Sequence, residues 1–304
     1  MKQNMGKTRE KAAVPKEKEK KPKEKEKKPK EKVKKPTKDQ QVRIDIFEDT
    51  KQLISDSDEL KKAVAKSIEN AKVYKIGERN TWKTNEQKRK SNNLVILAGT
   101  KTQKAARNWK KTCPSAKVCV LDFAPTSKLG EGAEKGLETQ EASLCRETTL
   151  YEALKALESQ NKVIQDKCLY VPEIQIIKDS SSGNPGLEKE QFTSIDVIVC
   201  SAPDASSKQD DKKDINSFEN EIRNQIKWRA ERVIEVALEN DVDILILGAW
   251  GCGECKNNPK VVAEVLSEIA ERFKSYFMII EFAIYSKDEK DVNYREFWKV
   301  INNG

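Results

Sequence analysis

The chain has 304 residues, of which 36% are charged and 37% are hydrophobic, and its formal net charge is +8. Residues 1–40 hold 17 Lys and Arg against 7 Asp and Glu, whereas the other 264 residues hold 41 basic and 43 acidic side chains. The basic excess thus belongs to an N-terminal arm, and the nearly neutral remainder lacks the strong positive field of a nucleic-acid-binding domain. Histidine is absent, which excludes Ser-His-Asp and Cys-His catalysis as well as His-ligated zinc.

The arm is periodic, with Pro15, Pro22, Pro29 and Pro36 spaced seven apart around KEKEKK-type segments. Recurrent prolines and alternating Lys and Glu prevent a continuous helix and an apolar core. We therefore predict a disordered Lys/Glu/Pro tail over residues 1–40 and one folded domain over residues 41–304. The tail is either a tether to anionic partners, namely nucleic acid or acidic protein, or a localisation signal, or a solubilising spacer.

After the tail, Ile44 to Lys75 predicts an amphipathic helical region with a helix cap at Ser55 or Asp56. Short apolar runs then alternate with helical patterns. The runs predict six strands, at Leu94–Ala98, Lys117–Phe123, Leu169–Ile177, Ile195–Cys200, Asp243–Gly248 and Phe277–Ile284. The patterns between them predict helices at Thr102–Lys111, Gln140–Gln160, Asn216–Glu239 and Pro259–Lys274. This alternation is typical of an α/β fold, a three-layer α/β/α domain with a parallel or mixed sheet.

No apolar run reaches the 18 to 20 residues that a membrane span needs, and the N-terminus lacks the apolar region of a signal peptide. Seven scattered cysteines fit reduced, buried thiols better than a disulfide framework. We expect an intracellular protein, with nucleus and cytoplasm both open and no membrane partner.

Two glycine-rich segments follow predicted strands and precede predicted helices. The first is Ser127 to Gly136, and the second is GAWGCG at Gly248 to Gly253. Backbone N–H groups in such loops can bind phosphate, and ligands of α/β sheets bind beyond the carboxyl ends of the strands. Two such loops at one sheet edge favour a ligand whose diphosphate group joins two sugars.

The stretch DFAPTSKLGEGAEKGLETQEASLCRETTLY, Asp122 to Tyr151, resembles in one gapless register the signature of the microbial-type poly(ADP-ribose) glycohydrolases, which reads roughly NFANAxxPGGGxxxGxxxQEExLCRxxxLY. The GAWGCG loop, IDVIVCSAP from Ile195 and ILAGTKTQKAARNW from Ile96 are similar to other segments of that family. The resemblance covers most of residues 44–285. It implies a macrodomain with a mixed sheet, ADP-ribose or a related nucleotide as the ligand, and no further cofactor.

In that family the second glutamate of QEE protonates the leaving oxygen of the ribose–ribose bond, and here its register holds Ala142. Loss of a positioned general acid costs on the order of 10² to 10⁴ in rate. Glu141 occupies the register of the first glutamate, about 100° away around the helix. Four further departures fall in the same pocket: Asp122, Pro125, Glu131 and Cys255 stand where the family has asparagine, asparagine, glycine and an aromatic residue. Glu131 is expected either to turn to solvent or to weaken diphosphate binding, with Lys128 or Lys135 as an offset.

Three other features have competing interpretations. Cys252 and Cys255 have redox spacing, but zinc would need four ligands that the sequence does not supply. Trp250 inside the second loop is a candidate to stack on a ligand ring, whereas Trp228 on a predicted helix is expected in the core. Asp196 is a candidate to bind an adenine amino group, by analogy with macrodomains.

Three functional hypotheses follow. The first is a macrodomain that binds ADP-ribose, or ADP-ribosylated protein, with hydrolysis lost or reduced; whether the chain is an enzyme is thus left open. The second is an active glycohydrolase that uses Glu141, or else Glu131 or Glu138, as its acid. The third is an interaction module that contacts nucleic acid or acidic protein through the tail. The predicted ligand-binding residues are Gly130, Glu131, Gly132, Gln140, Glu141, Gly248, Trp250, Gly251, Cys252 and Gly253, and no metal ligands are predicted.

Overall fold

The computed structural model describes residues 35–76, 94–125, 128–160, 167–181, 183–206, 215–286 and 290–303. The predicted tail lies almost wholly outside these ranges, and Pro36–Gly304 forms one compact unit. The first helix begins at Lys38, three residues before the predicted domain boundary.

The N-terminal region consists of two helices and a short strand. Helix α1, Lys38–Asp56, starts with a capping box between Thr37 and Gln40, and helix α2 spans Asp58–Glu69. The cap between them is Ser57, whose hydroxyl accepts from the N–H of Leu60, and not the predicted Ser55 or Asp56. The helical prediction is also wrong at its end, because Lys72–Lys75 forms strand β1 along the edge of the sheet.

The other elements follow the predicted alternation, and each of the six predicted strands lies within two residues of its predicted bounds. They are β2 Leu94–Ala98, α3 Thr102–Thr112, β3 Val118–Ala124, α4 Glu131–Glu134, α5 Gln140–Glu147, α6 Leu150–Ser159, β4 Lys167–Ile176, β5 Thr193–Ser201, α7 Ile215–Glu239, β6 Ile244–Leu247, α8 Pro259–Phe273, β7 Ile279–Ala283 and α9 Val292–Asn303. Short 3-10 helices span Lys189–Gln191 and Lys274–Tyr276. None of the helices in the described ranges has the length and apolar character to span a bilayer.

The seven strands form one mixed sheet in the order β1-β4-β5-β3-β6-β7-β2. Strands β5, β3, β6, β7 and β2 are parallel, while β4 runs antiparallel to β1 and β5. Apolar side chains cover both faces: Leu121 and Leu245 belong to the core with α7 and α8, and Val120 and Ile246 to the core with α5 and α6. This confirms the three-layer α/β/α prediction and brings the carboxyl ends of five strands to one edge.

The predicted helix Gln140–Gln160 is two helices, because the chain leaves the helical path at Thr148 and Thr149. The carbonyl of Glu147 accepts from the N–H groups of Ile177 and Lys178 beyond β4, and the Thr149 N–H donates to Gln175. Backbone pairing with the end of β4 thus replaces the helical hydrogen bonds at this point, which local periodicity does not reveal.

Buried polar and aromatic contacts hold helix α1 against the rest of the domain. The Lys178 ammonium is 2% exposed and donates to the Ile46 carbonyl at 3.0 Å and to Asp49 at 2.5 Å. The Thr50 hydroxyl donates to the Arg146 carbonyl, and the Phe47 ring packs edge-on against Tyr151 at 4.6 Å. The helix is therefore part of the folded domain, and its position fixes one boundary of the cleft described below.

Candidate functional site

A cleft of about 690 Å³ opens at the carboxyl ends of the parallel strands. Residues that follow β2, β3, β5, β6 and β7 contribute to its wall, together with the N-terminal part of α5. This is the position where open α/β sheets bind ligands, and the volume lies within the range of roughly 300–1,000 Å³ typical of small-molecule pockets.

Gln140 joins the cleft wall to strand β3. Its side-chain oxygen accepts from the Phe123 N–H at 2.9 Å, and its amide nitrogen donates to the Leu121 carbonyl at 2.9 Å and to Thr102 at 3.2 Å. Gln140 thus satisfies backbone groups where β3 reaches the sheet edge, and we assign it a structural role in the wall.

The second glycine-rich loop forms another part of the wall. Gly251 has φ +74°, and a side chain there would meet Asn257 at 2.3 Å and Ala202 at 2.5 Å. A side chain at Gly248 would meet the Ala283 carbonyl at 2.8 Å, whereas Gly253 has open space beside it. Gly248 and Gly251 are thus required by packing within the protein, and Gly253 is the glycine that leaves room for a ligand.

Cys252 and Cys255 lie in the same loop and both line the cleft. Burial raises the pKa of the Cys252 thiol to about 12, and burial likewise raises the pKa of Cys255 above its ordinary value. Redox and nucleophilic cysteines have a lowered thiol pKa, so these two thiols have the opposite electrostatic environment.

The first glycine-rich segment, in contrast, packs against the protein. Among the described residues Gly130, Glu131 and Gly132 do not line the cleft. Gly130 has φ +72°, and a side chain there would meet the Tyr151 ring at 2.7 Å. Glu131 pairs with Lys135 at 2.9 Å, which confirms the predicted charge offset, although a surface pair of this kind contributes only about 0–1 kcal/mol.

Ala142, which the sequence resemblance predicts to stand in the register of the family's acid, is fully buried beneath this segment. A side chain added to Gly132 would lie 3.5 Å from the Ala142 Cβ and 3.2 Å from the Thr139 hydroxyl, which caps α5. Position 142 therefore faces the first glycine segment, and the methyl group of alanine fills the space there.

Glu141 and Asp122 form a buried acidic pair beside this position. Glu141 is 2% exposed and Asp122 is fully buried, and both Asp122 oxygens and Oε1 of Glu141 have no hydrogen-bond partner in the described part of the chain. Burial raises the pKa of Glu141 to about 7, although the Gly130 N–H acts in the opposite direction. Burial and the neighbouring Glu141 carboxylate raise the pKa of Asp122 well above its ordinary value. Burial and mutual repulsion thus favour the protonated form of both carboxyl groups.

Several cleft residues were missed by the sequence analysis. They are polar or charged and come from segments far apart in the sequence: Arg43, Lys101, Arg146, Asn184, Tyr285 and Asn293. Lys101 in AGTK and Arg146 in LCR lie inside segments that carry the family resemblance, which is the signal that could have identified them. Arg43 lies on α1, and only the tertiary position of that helix brings it to the cleft.

The structure places the two tryptophans and Asp196, the candidate for binding adenine, in three different environments. Trp250 is at the cleft wall but only 1% exposed, and its indole N–H donates to the Cys200 carbonyl at 3.0 Å. The prediction for Trp228 is wrong, because this side chain on α7 is 64% exposed. Asp196 lies near the amino end of β5, outside the cleft, where it accepts from the Tyr170 hydroxyl and the Glu173 N–H.

Comparisons with known proteins agree with this geometry. Residues 40–179 match the model of the microbial-type PARG catalytic domain family. No curated protein sequence matches the chain. Many solved structures do match, among them poly(ADP-ribose) glycohydrolase (PARG) from Thermomonospora curvata, with a TM-score of 0.71, 21% identity and coverage of 86% of this chain and 99% of that one.

Two further matches are ligand complexes. The Thermomonospora curvata enzyme bound to the inhibitor ADP-HPD matches with a TM-score of 0.69 and 21% identity, over 85% of this chain and 99% of that one. PARG from Deinococcus radiodurans in complex with ADP-ribose matches with a TM-score of 0.66 and 22% identity, over 79% and 97% of the two chains. At such identities the structures establish a shared fold. Residues 40–179 thus match the model of the microbial-type PARG catalytic domain family, and the chain shares the fold of these structures.

Proposed function

We propose that this chain is a macrodomain that binds ADP-ribose, or the ADP-ribose group of a modified protein, with glycohydrolase activity lost or strongly reduced. The binding half of the proposal is supported by the cleft at the strand ends, by the open backbone at Gly253 and by the ADP-ribose complex of the Deinococcus radiodurans relative. Nucleotide ligands suit such a site because its backbone N–H groups and cations match a diphosphate.

One observation carries the catalytic half of the proposal. The residue in the register of the family's acid is a fully buried alanine, with the Gly130–Gly132 segment packed on it. Alanine cannot protonate a leaving oxygen, and loss of a general acid lowers the rate by about 10² to 10⁴.

Two measurements on the purified full-length chain test this proposal. Calorimetry with ADP-ribose is expected to show saturable binding, and incubation with poly(ADP-ribose) is expected to release little or no ADP-ribose. A matched sample of an active family member is the positive control for turnover. Polymer shortening at a rate close to that control would refute the catalytic half, and absence of heat at millimolar ADP-ribose would refute the binding half.

A second candidate, an active glycohydrolase with Glu141 as the acid, is favoured by one observation. Burial raises the pKa of Glu141 to about 7, which is the range suited to a general acid at neutral pH. Glu141 is only 2% exposed, however, so it could reach a substrate only if the Gly130–Gly132 segment moved.

The two candidates differ in the pH dependence of any residual turnover. If Glu141 is the acid, the rate should fall as the pH rises through about 7, because the protonated carboxyl is the active form. Glu141→Gln should then abolish turnover, whereas Glu138→Gln, a change at a mostly exposed carboxylate of the cleft wall, should retain it. Residual turnover that survives Glu141→Gln would exclude Glu141 as the acid.

A further inference from the structure

Two cysteines face each other across strands β4 and β5. The antiparallel register pairs Leu169 with Val199, which places Cys168 directly opposite Cys200. The Cys168 thiol donates to the Cys200 sulfur at 3.3 Å, so the two sulfur atoms are in contact. Both are free thiols and fully buried, and neither belongs to the cleft wall as the described residues define it. Directly opposed side chains are the closest pairs that neighbouring strands offer, so a cross-strand disulfide can form from this arrangement.

Helix α7 covers the pair and brings two guanidinium groups near it. Cys168 and Cys200 belong to the core that the sheet forms with α7 and α8. Arg229 donates to the carbonyl of Ser201, the residue after Cys200, at 3.3 Å, and Arg232 is 3% exposed. The hydrogen bond to its partner thiol and burial raise the pKa of Cys168 well above its ordinary value, whereas the charges of Arg232 and Arg229 act in the opposite direction. The covered thiol is thus unreactive, but its surroundings hold the cations that stabilise a thiolate once water reaches it.

Among the described strands, only β1 separates Cys168 from the edge of the sheet. Tyr74 of β1 is the residue opposite Cys168, and because directly opposed residues share a face, its side chain covers the thiol. The Tyr74 hydroxyl accepts from the Asn240 amide at 3.0 Å, and its ring centre lies 5.3 Å from the Arg232 guanidinium. Strand β1 has four residues with mostly exposed side chains, so little buried area is lost when it separates from β4. Local opening of β1 is therefore the route by which an oxidant in solution reaches Cys168.

We propose that Cys168 and Cys200 are a modification site for hydroperoxides, at which a reversible disulfide forms between β4 and β5. The Cys168 thiolate attacks one oxygen of the hydroperoxide and the O–O bond breaks. The sulfur becomes a sulfenic acid, and the other oxygen takes the thiol proton and leaves as an alcohol, or as water when the oxidant is hydrogen peroxide. The Cys200 thiol then attacks the sulfenic sulfur, and the hydroxyl group leaves with the Cys200 proton as water. Two thiols are thereby oxidised to one disulfide, and one hydroperoxide is reduced. The site is independent of the nucleotide proposed for the cleft.

Mass spectrometry of the full-length chain tests the pair. Treatment of the folded, reduced protein with hydrogen peroxide should produce a species that is lighter by two hydrogen atoms, and dithiothreitol should restore the original mass. Remaining thiols are alkylated before digestion. Trypsin cleaves after Lys178 and Lys189, which lie between the two cysteines in the sequence, so the disulfide appears as two peptides that stay linked until reduction. Cys200→Ala should abolish the linked peptides, whereas Cys119→Ala, a change at another fully buried cysteine of the sheet, should retain them.

The rate of disulfide formation tests the route through β1. Tyr74→Ala removes the side chain that covers Cys168, so the linked peptides should form several-fold faster than in the wild type. Val73→Ala is the matched control on the same strand. Because side chains alternate along a strand, Val73 points to the other face, where it is 40% exposed, and its loss should leave the rate nearly unchanged. Circular dichroism checks that both variants are folded.

The disulfide should also change the stability of the protein. It closes residues 168–200 into a loop and so reduces the entropy of the unfolded chain, and the oxidised wild type should melt at a higher temperature than the reduced protein. Cys200→Ala should show no such difference after the same treatment. Peroxide treatment that oxidises other thiols but yields no Cys168–Cys200 linkage in the folded protein would overturn the inference, and so would a linkage that forms only in urea. Equal rates in Tyr74→Ala and Val73→Ala would contradict access through β1.

Discussion

At the scale of single residues, the buried acids Asp122 and Glu141 should make the fold less stable as the pH rises. The pKa of Glu141 in the folded state is about 7, above its ordinary value of 4.5, so the folded state holds a proton that the unfolded state releases. The stabilisation is complete below the unfolded pKa and is lost as the pH rises through about 7. A shift of this size corresponds to about 3 kcal/mol.

Urea unfolding at pH 5 and pH 8 measures this dependence. Glu141→Gln is isosteric with the protonated acid, so the variant should lose less free energy of unfolding between the two pH values than the wild type does. Glu69→Gln, at an exposed position of α2, should behave as the wild type. The same pH dependence in all three proteins would show that Glu141 is ionised in the fold or is not the group responsible.

The residue scale also shows where sequence reasoning succeeded. It named Lys135, with Lys128 as the alternative, as the cation that offsets Glu131, because a pair four residues apart on a helix depends only on short-range register along the chain. It did not show that the first glycine segment packs against Tyr151 and Ala142 instead of lining the cleft. That difference is set by close approach of atoms from separate elements, which composition and spacing do not specify.

At the scale of elements, α1 should contribute substantially to stability. Phe47 is 1% exposed and contacts Tyr151 on α6, so Phe47→Ala should lower the free energy of unfolding by about 3–5 kcal/mol in urea titrations. Leu53→Ala is a control on the same helix, at a side chain that is 38% exposed, and should cost clearly less. Equal effects of the two changes would indicate that α1 does not pack as described.

Elements with strong local signals were predicted well. Continuous apolar runs predicted all six strands from β2 to β7, since strands covered on both faces are apolar throughout. Strand β1 was missed because its pattern in Lys72–Lys75 is polar, with mostly exposed side chains. The division of α5 from α6 depends on pairing with the end of β4 and had no local signal, whereas α9 has an amphipathic pattern that the sequence analysis overlooked.

At the scale of the whole molecule, the uneven charge distribution predicts a separate role for the N-terminal arm. We propose that the arm binds polyanions and that the folded unit does not. A fluorescein-labelled single-stranded oligonucleotide should bind the full chain with an affinity that falls steeply as salt is raised. A protein of residues 36–304 should bind it far more weakly and should keep the same melting temperature. Equal binding by the two proteins would place the nucleic-acid site in the folded unit.

The strand order has a consequence for how the protein is made. Within the described residues, β2 pairs with β7 and one edge of β3 pairs with β6, so these early strands have neighbours that come from the last third of the chain. A nascent chain on the ribosome therefore cannot complete its sheet until residues 279–283 have left the exit tunnel. Until then β2 lacks its partner strand and one edge of β6 is unpaired, and such exposed apolar edges make a nascent chain prone to aggregate and dependent on chaperones.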